Sequence, residues 1–119
     1  MRTAYADRVF QFWEYRVSHG SLLIRSPKAP GIPTNIDLVC VDVEYVALPR
    51  YMRGLELVQP SDDEVSQLSG LLNKPASESR VRVVLSEGRR FPIVGIGFKF
   101  CENEDDIFAS PFDLYKTKE

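Results

Sequence analysis

Ile36-Asp37-Leu38-Val39-Cys40-Val41-Asp42-Val43-Glu44-Tyr45-Val46-Ala47-Leu48 is the longest strand signal in the chain, and it points to a fold built on sheet. Val39, Val41, Val43 and Tyr45 alternate onto one face, while Ile36, Leu38 and Cys40 begin the other before Asp42 and Glu44 take over. Period-two alternation of β-branched residues marks a strand. A strand apolar on both faces at its start and on one face later is expected to be covered only at that first end. Pro49, which has no amide hydrogen to donate, closes it.

On the N-terminal side, Pro27, Pro30, Gly31 and Pro33 make Ser26 to Asn35 a loop. Before it, Arg8 to Val17 alternates with Val9, Gln11, Trp13, Tyr15 and Val17 on one side and Phe10, Phe12, Glu14 and Arg16 on the other. Ser18-His19-Gly20-Ser21 supplies turn chemistry and Leu22 to Arg25 a second strand, which predicts a β-hairpin.

On the C-terminal side, a turn over Arg50 to Gly54 leads to a short strand at Leu55 to Val58. A helix follows over about residues 61–73. Ser61 and Glu64 form a capping box, Asp62 and Asp63 lie in the positive first turn, and Val65, Leu68, Leu71 and Leu72 make an apolar stripe. Asn73 and Pro75 end it. Ser79 to Ser86, the Glu87-Gly88 turn and a return strand from Phe91 to Cys101 make a second hairpin. Gly95 and Gly97 on that return strand predict a bend or the close approach of another backbone. An acidic loop from Glu102 to Asp106 follows; Ile107, Phe108 and Phe112 are expected to tie the end of the chain to the core, with a loosely packed tail from about residue 113.

Strands outnumber helices and no βαβα alternation occurs, so the expected class is α+β: a mainly antiparallel sheet of about five to six strands with one helix on one face. At 119 residues the chain makes a single domain over 1–119, large enough to hold a core without metal or disulfide support. Hydrophobic residues at 44% and charged residues at 27% are ordinary globular values, which excludes a mostly disordered chain. A net charge of -2 supplies no global basic field to gather nucleic acid or a membrane. Met1 to Asp7 carries no apolar leader, and no run approaches the length of a membrane span. The expectation is a cytoplasmic protein whose two cysteines, Cys40 and Cys101, are buried reduced thiols.

His19 is the sole histidine, so zinc knuckles, triads and cysteine–histidine dyads are nearly excluded. Ser18, His19 and Ser21 put hydroxyls beside an imidazole, but a triad needs a third group to orient the base. The expected role is a hydrogen-bonding turn. Gly95-Ile96-Gly97 lacks the spacing and the following helix of a phosphate loop. No catalytic residue, metal ligand or cofactor is expected.

Two charged groups are candidate surfaces. Glu102, Glu104, Asp105 and Asp106 lack the calcium-loop pattern, and with Asp62 and Asp63 they suit docking of a basic protein partner, since opposed potentials speed encounter. Arg80, Arg82, Arg89, Arg90 and Lys99 could gather on the second hairpin and bind single-stranded nucleic acid, were aromatic residues exposed beside them. Phe98 and Phe100 alternate with Lys99 and are expected to point into the core. Trp13, Tyr15, Tyr45, Tyr51 and Met52 read as core residues, or as binding anchors where exposed.

Ser18 to Ser26, Asn35 to Pro49 and Asp106 to Phe112 resemble small bacterial α+β proteins of uncharacterised families. Among these are immunity proteins that neutralise toxins of contact-dependent inhibition and related systems. The resemblance implies a cytosolic inhibitor that docks on a toxin domain. It transfers no catalytic residue, because immunity proteins share none. A non-enzymatic protein-binding module is therefore the leading expectation, single-stranded nucleic-acid binding the alternative, and an enzyme using His19 the third.

Overall fold

The computed structural model describes residues 5–115. Among the described residues, nine strands form two sheets and a single α-helix accompanies them, as expected of an α+β fold. Every strand pairing is antiparallel. The strands are β1 (Val9–Arg16), β2 (Ser21–Ser26), β3 (Asn35–Val41), β4 (Tyr45–Val46), β5 (Tyr51–Arg53), β6 (Glu56–Val58), β7 (Val81–Ser86), β8 (Arg89–Val94) and β9 (Gly97–Asn103), with α1 at Asp62–Leu72 between β6 and β7. The first sheet runs in the order β5-β1-β2-β3-β9 and the second β4-β8-β7-β6.

Two long runs expected to be single strands each divide between the sheets. Ile36 to Leu48 breaks at Asp42, which takes a left-handed φ of 53°. Phe91 to Cys101 breaks at Gly95-Ile96. The breaks sit side by side. Ile96 N–H donates to Val41 O at 3.0 Å and Glu44 N–H to Val94 O at 2.7 Å, so the paired strands cross from one sheet to the other as one bent ribbon. Gly95 eases the approach there: a Cβ would stand 3.1 Å from Val41 O. The predicted close approach of another backbone is thus present.

A third passage runs through Gly54, from β5 in the first sheet to β6 in the second. The Arg50–Gly54 turn expected from sequence therefore contains a short strand, Tyr51–Arg53, paired with Val9–Gln11. Joined at these three passages, the nine strands make six through-running segments. Their pairings form a circuit: β1, β2, β3 with β4, β9 with β8, β7, β6 with β5, and back to β1. The single sheet expected from sequence is thus folded onto itself, and this circuit of strands forms a barrel.

The main core fills the inside of this circuit. Phe10, Leu22, Ile24, Ile36, Leu38, Cys40, Val43, Met52, Leu55, Val84 and Ile93 are its buried members. Two irregularities decide who points inward. A bulge between Phe12 and Glu14 pairs Phe12 with Ile24 and Tyr15 with Leu22, so both aromatics share the face that strict alternation would divide. The left-handed Asp42 does the same for β3, turning Val43 inward with Cys40 and leaving Val41 42% exposed.

The helix forms as its sequence dictates. Ser61 accepts from Glu64 N–H while the Glu64 carboxylate accepts from Ser61 N–H, and Asn73 ends the helix in the left-handed region. Leu68 packs with Val81 and Val94 outside the second sheet. One fully buried leucine contributes about 1.5–3 kcal/mol. Phe112 is buried and Asp113 bonds Arg16; the remainder of the expected loose tail lies largely outside the described residues.

Candidate functional site

After β9 the chain turns back across the outer face of the first sheet, and a buried polar network holds it there. Arg25 and Asp37 are cross-strand neighbours on β2 and β3, and they are 1% and 0% exposed. Their pairing is bidentate, Nε to Oδ1 at 2.6 Å and Nη2 to Oδ2 at 2.8 Å. The remaining nitrogen, Nη1, donates to the carbonyls of Ile107 at 2.8 Å and Ala109 at 2.7 Å. The guanidinium also lies over the Trp13 ring, 5.7 Å from its centroid. A buried charge is tolerated when its donors are satisfied in this way.

Asn35 performs a parallel task at the root of the turn. Its Nδ2 donates to Asn103 Oδ1 and to Asp105 O, both at 2.9 Å, and its Oδ1 accepts from Lys28 N–H. Asn103 Nδ2 reaches Asp37 Oδ2 at 3.1 Å, joining the two networks. Farther along, Arg16 bonds Asp113 at 2.7 Å and lies over the Phe112 ring.

What this frame presents is an exposed acidic turn. Glu102, Glu104, Asp105 and Asp106 are all exposed. Glu102 accepts from the Thr34 hydroxyl at 2.6 Å, and Asp106 Oδ2 accepts from Phe108 N–H at 2.9 Å. Phe108 itself is 80% exposed. An aromatic ring so exposed on a segment pinned at both ends contrasts with Phe112, four residues on, which is buried.

The other expected acidic residues stand apart. Asp62 and Asp63 are exposed in the first turn of α1, which packs on the second sheet, whereas the acidic turn follows β9 of the first. The five basic residues do not gather on one face. Arg90 binds Glu64 through Nε and Nη2 at 2.8 and 2.9 Å. Arg82 lies over Phe98, 5.6 Å from its centroid, and Arg80 faces Asp42 at 3.8 Å. Arg89 is exposed beside the hairpin turn, and Lys99 is exposed on β9 of the other sheet.

His19 is exposed with φ 72°, and its carbonyl accepts from Asp42 N–H. Among the described residues, no side-chain hydrogen bond links it to Ser18 or Ser21. Cys40 faces the core opposite Phe98, while Cys101 pairs with Asp37 on the outer face, so the two thiols lie on opposite sides of the sheet. Burial pushes the Cys40 thiol up to about 12. A cleft of ≈ 330 Å³ opens between β1 and β4, lined by Phe12, Tyr15, Val43, Glu44, Tyr45 and Val46. Lys74 beside Glu44 holds that carboxyl below its ordinary range. Among the described residues no group of three or more His, Cys, Asp and Glu side chains is arranged to hold a metal, and no helix is long and apolar enough to cross a membrane.

Phe108, expected to tie the end of the chain to the core, is instead exposed, and only Phe112 is buried. Sequence reasoning missed Arg25 and Asp37, and also Asn35. A signal for the first pair was present: one arginine in Leu22–Ser26 and one aspartate in Ile36–Cys40 are opposite charges inside otherwise apolar strands. No protein-family model matches this chain, and no match was found among curated proteins or among solved structures.

Proposed function

We propose that the protein is a non-enzymatic binding module that docks on a basic protein partner through the acidic turn Glu102–Asp106 and Phe108. An immunity protein neutralising a bacterial toxin is the particular form of this reading, in keeping with the family resemblance. The observation that carries it is the 80% exposure of Phe108 among four exposed carboxylates, on a segment anchored by the buried Arg25. Aromatic anchors supply much of the binding energy at interfaces, and a preorganised loop loses less entropy on association. The carboxylates would accelerate encounter with a positive surface.

Association kinetics with a purified basic toxin domain test this. Reversing the charge of Glu102, Glu104, Asp105 and Asp106 together is expected to slow association about tenfold or more at low salt and to flatten its salt dependence. Phe108→Ala is expected to speed dissociation about 30-fold or more, the loss of an anchor worth about 2 kcal/mol. Rates unchanged in both variants would remove the turn from the interface.

A further inference from the structure

We infer that Glu104–Asp113 is a latched strap, a segment that opens as a unit from the outer face of the first sheet, with Arg25 as its latch. This inference deepens the docking reading, because the strap carries Phe108 and Glu104, Asp105 and Asp106, and its opening would regulate how that surface is presented.

Side chains, not backbone pairing, hold the segment. Beyond Asn103, which ends the β3–β9 ladder, its backbone makes no ladder with the barrel. Its own backbone bonds are internal turns, Ala109 N–H to Asp106 O and Asp113 N–H to Ser110 O. Among the described residues, the hydrogen bonds that fasten it run through side chains: Arg25 to Ile107 O and Ala109 O, Asn35 to Asp105 O and Arg16 to Asp113 from the sheet, and Lys28 of the proline-rich loop to Glu104 O. The strands beneath are instead knitted by continuous ladders on both sides of β2 and β3. A segment attached by a few side-chain bonds opens at lower free energy than a paired strand.

Arg25 is the latch because its contacts are divided. Two of its hydrogen bonds go to Asp37 of the sheet and two to the strap, and the group is 1% exposed. When the strap leaves, the ion pair persists and water replaces the two carbonyls, so opening does not require the barrel to unfold. Closure reburies Arg25 and covers a face that carries Trp13 and the fully buried Leu23.

Amide hydrogen exchange on the whole chain tests the latch. The amides of Ala109 and Asp113 are expected to exchange in one common opening, at least 100-fold faster than those of Leu22–Ile24 and Leu38–Cys40. Replacing the pair together (Arg25→Met with Asp37→Leu) leaves no buried charge unpaired, so the barrel is expected to persist. In that variant the strap amides should exchange at least tenfold faster again, with the barrel amides unchanged. Phe112→Ala, which leaves the ion pair intact, should shift them in the same direction. Strap amides that exchange only with global unfolding, or that keep their native rates in both variants, would overturn the inference. None of these measurements uses a partner, so a rigid strap would leave the docking reading standing. Conversely, a failed binding test would leave the strap.

Discussion

At the scale of single residues, Arg25 and Asp37 make the one fully buried ion pair among the described residues. Neither is exposed by more than 1%, and each depends on the other for its charge to be tolerated. Removing one partner strands the other in a low-dielectric environment. Arg25→Met is therefore expected to cost about 3–5 kcal/mol in chemical denaturation, while the double replacement with Asp37→Leu recovers most of that loss. A single variant within 1 kcal/mol of the native chain would show that water reaches Asp37. The cysteines differ in the same physical way. Cys40 is fully buried and its thiol is raised to about 12, whereas Cys101 is half-buried on the outer face. A thiol reagent at neutral pH is expected to modify Cys101 alone in the folded protein and both residues after denaturation. Equal rates in the native state would contradict this burial.

At the scale of elements, the bent ribbon and the helix make separate predictions. A Cβ on Gly95 would meet backbone atoms, Val41 O at 3.1 Å and Val43 Cα at 3.4 Å, and the hydrogen-bonded ribbon would have to give by a few tenths of an ångström. On Gly97 it would meet only a side-chain atom, Val41 Cγ2 at 2.8 Å, on a residue that is 42% exposed and has solvent to turn into. Gly95→Ala is expected to cost about 1–3 kcal/mol and Gly97→Ala about 1 kcal/mol or less, read from denaturation midpoints. The reverse order would refute the account of the crossing. For the helix, the Glu64 carboxyl is held at about 2, chiefly by the Arg90 hydrogen bonds, with burial opposing and Ser61 assisting. A carboxyl depressed in the folded state stabilises above its unfolded value, near 4.3, and loses that contribution as pH falls through about 2. Because Arg90 is 41% exposed, solvent screening keeps the effect near 1 kcal/mol. Glu64→Gln should flatten the fall in stability between pH 5 and 2 by that amount; an unchanged slope would place the acid sensitivity elsewhere.

At the scale of the whole molecule, six through-running segments fold a sheet into a circuit around one core, and the helix and the strap cover parts of its outside. Closure predicts that the two sheets unfold together: tryptophan fluorescence, which reports Trp13 of the first sheet, and far-ultraviolet dichroism should give coincident denaturation curves. Separated transitions would mean that the sheets are independent. Much of this plan was legible in the residues. The capping box from Ser61 to Glu64, both hairpins, the proline-rich loop and the constraint at Gly95 and Gly97 are local patterns, and local chemistry determines them within a few residues. The exposed acidic turn was legible for the same reason, since four carboxylates in five residues find water almost wherever the chain puts them. The inward turn of Val43, the bulge at Trp13 and the burial of Arg25 were not legible. Each depends on a partner distant in the chain: Asp42 turns against His19, Phe12 and Tyr15 register on β2, and Arg25 is covered by residues 82 and 84 positions later. Local patterns alone establish the α+β class, the capped helix and the poverty of reactive side chains. Only the tertiary structure decided where strands pass between sheets and which charges are buried, because those outcomes arise from pairings between segments whose local patterns are equally content in a flat sheet.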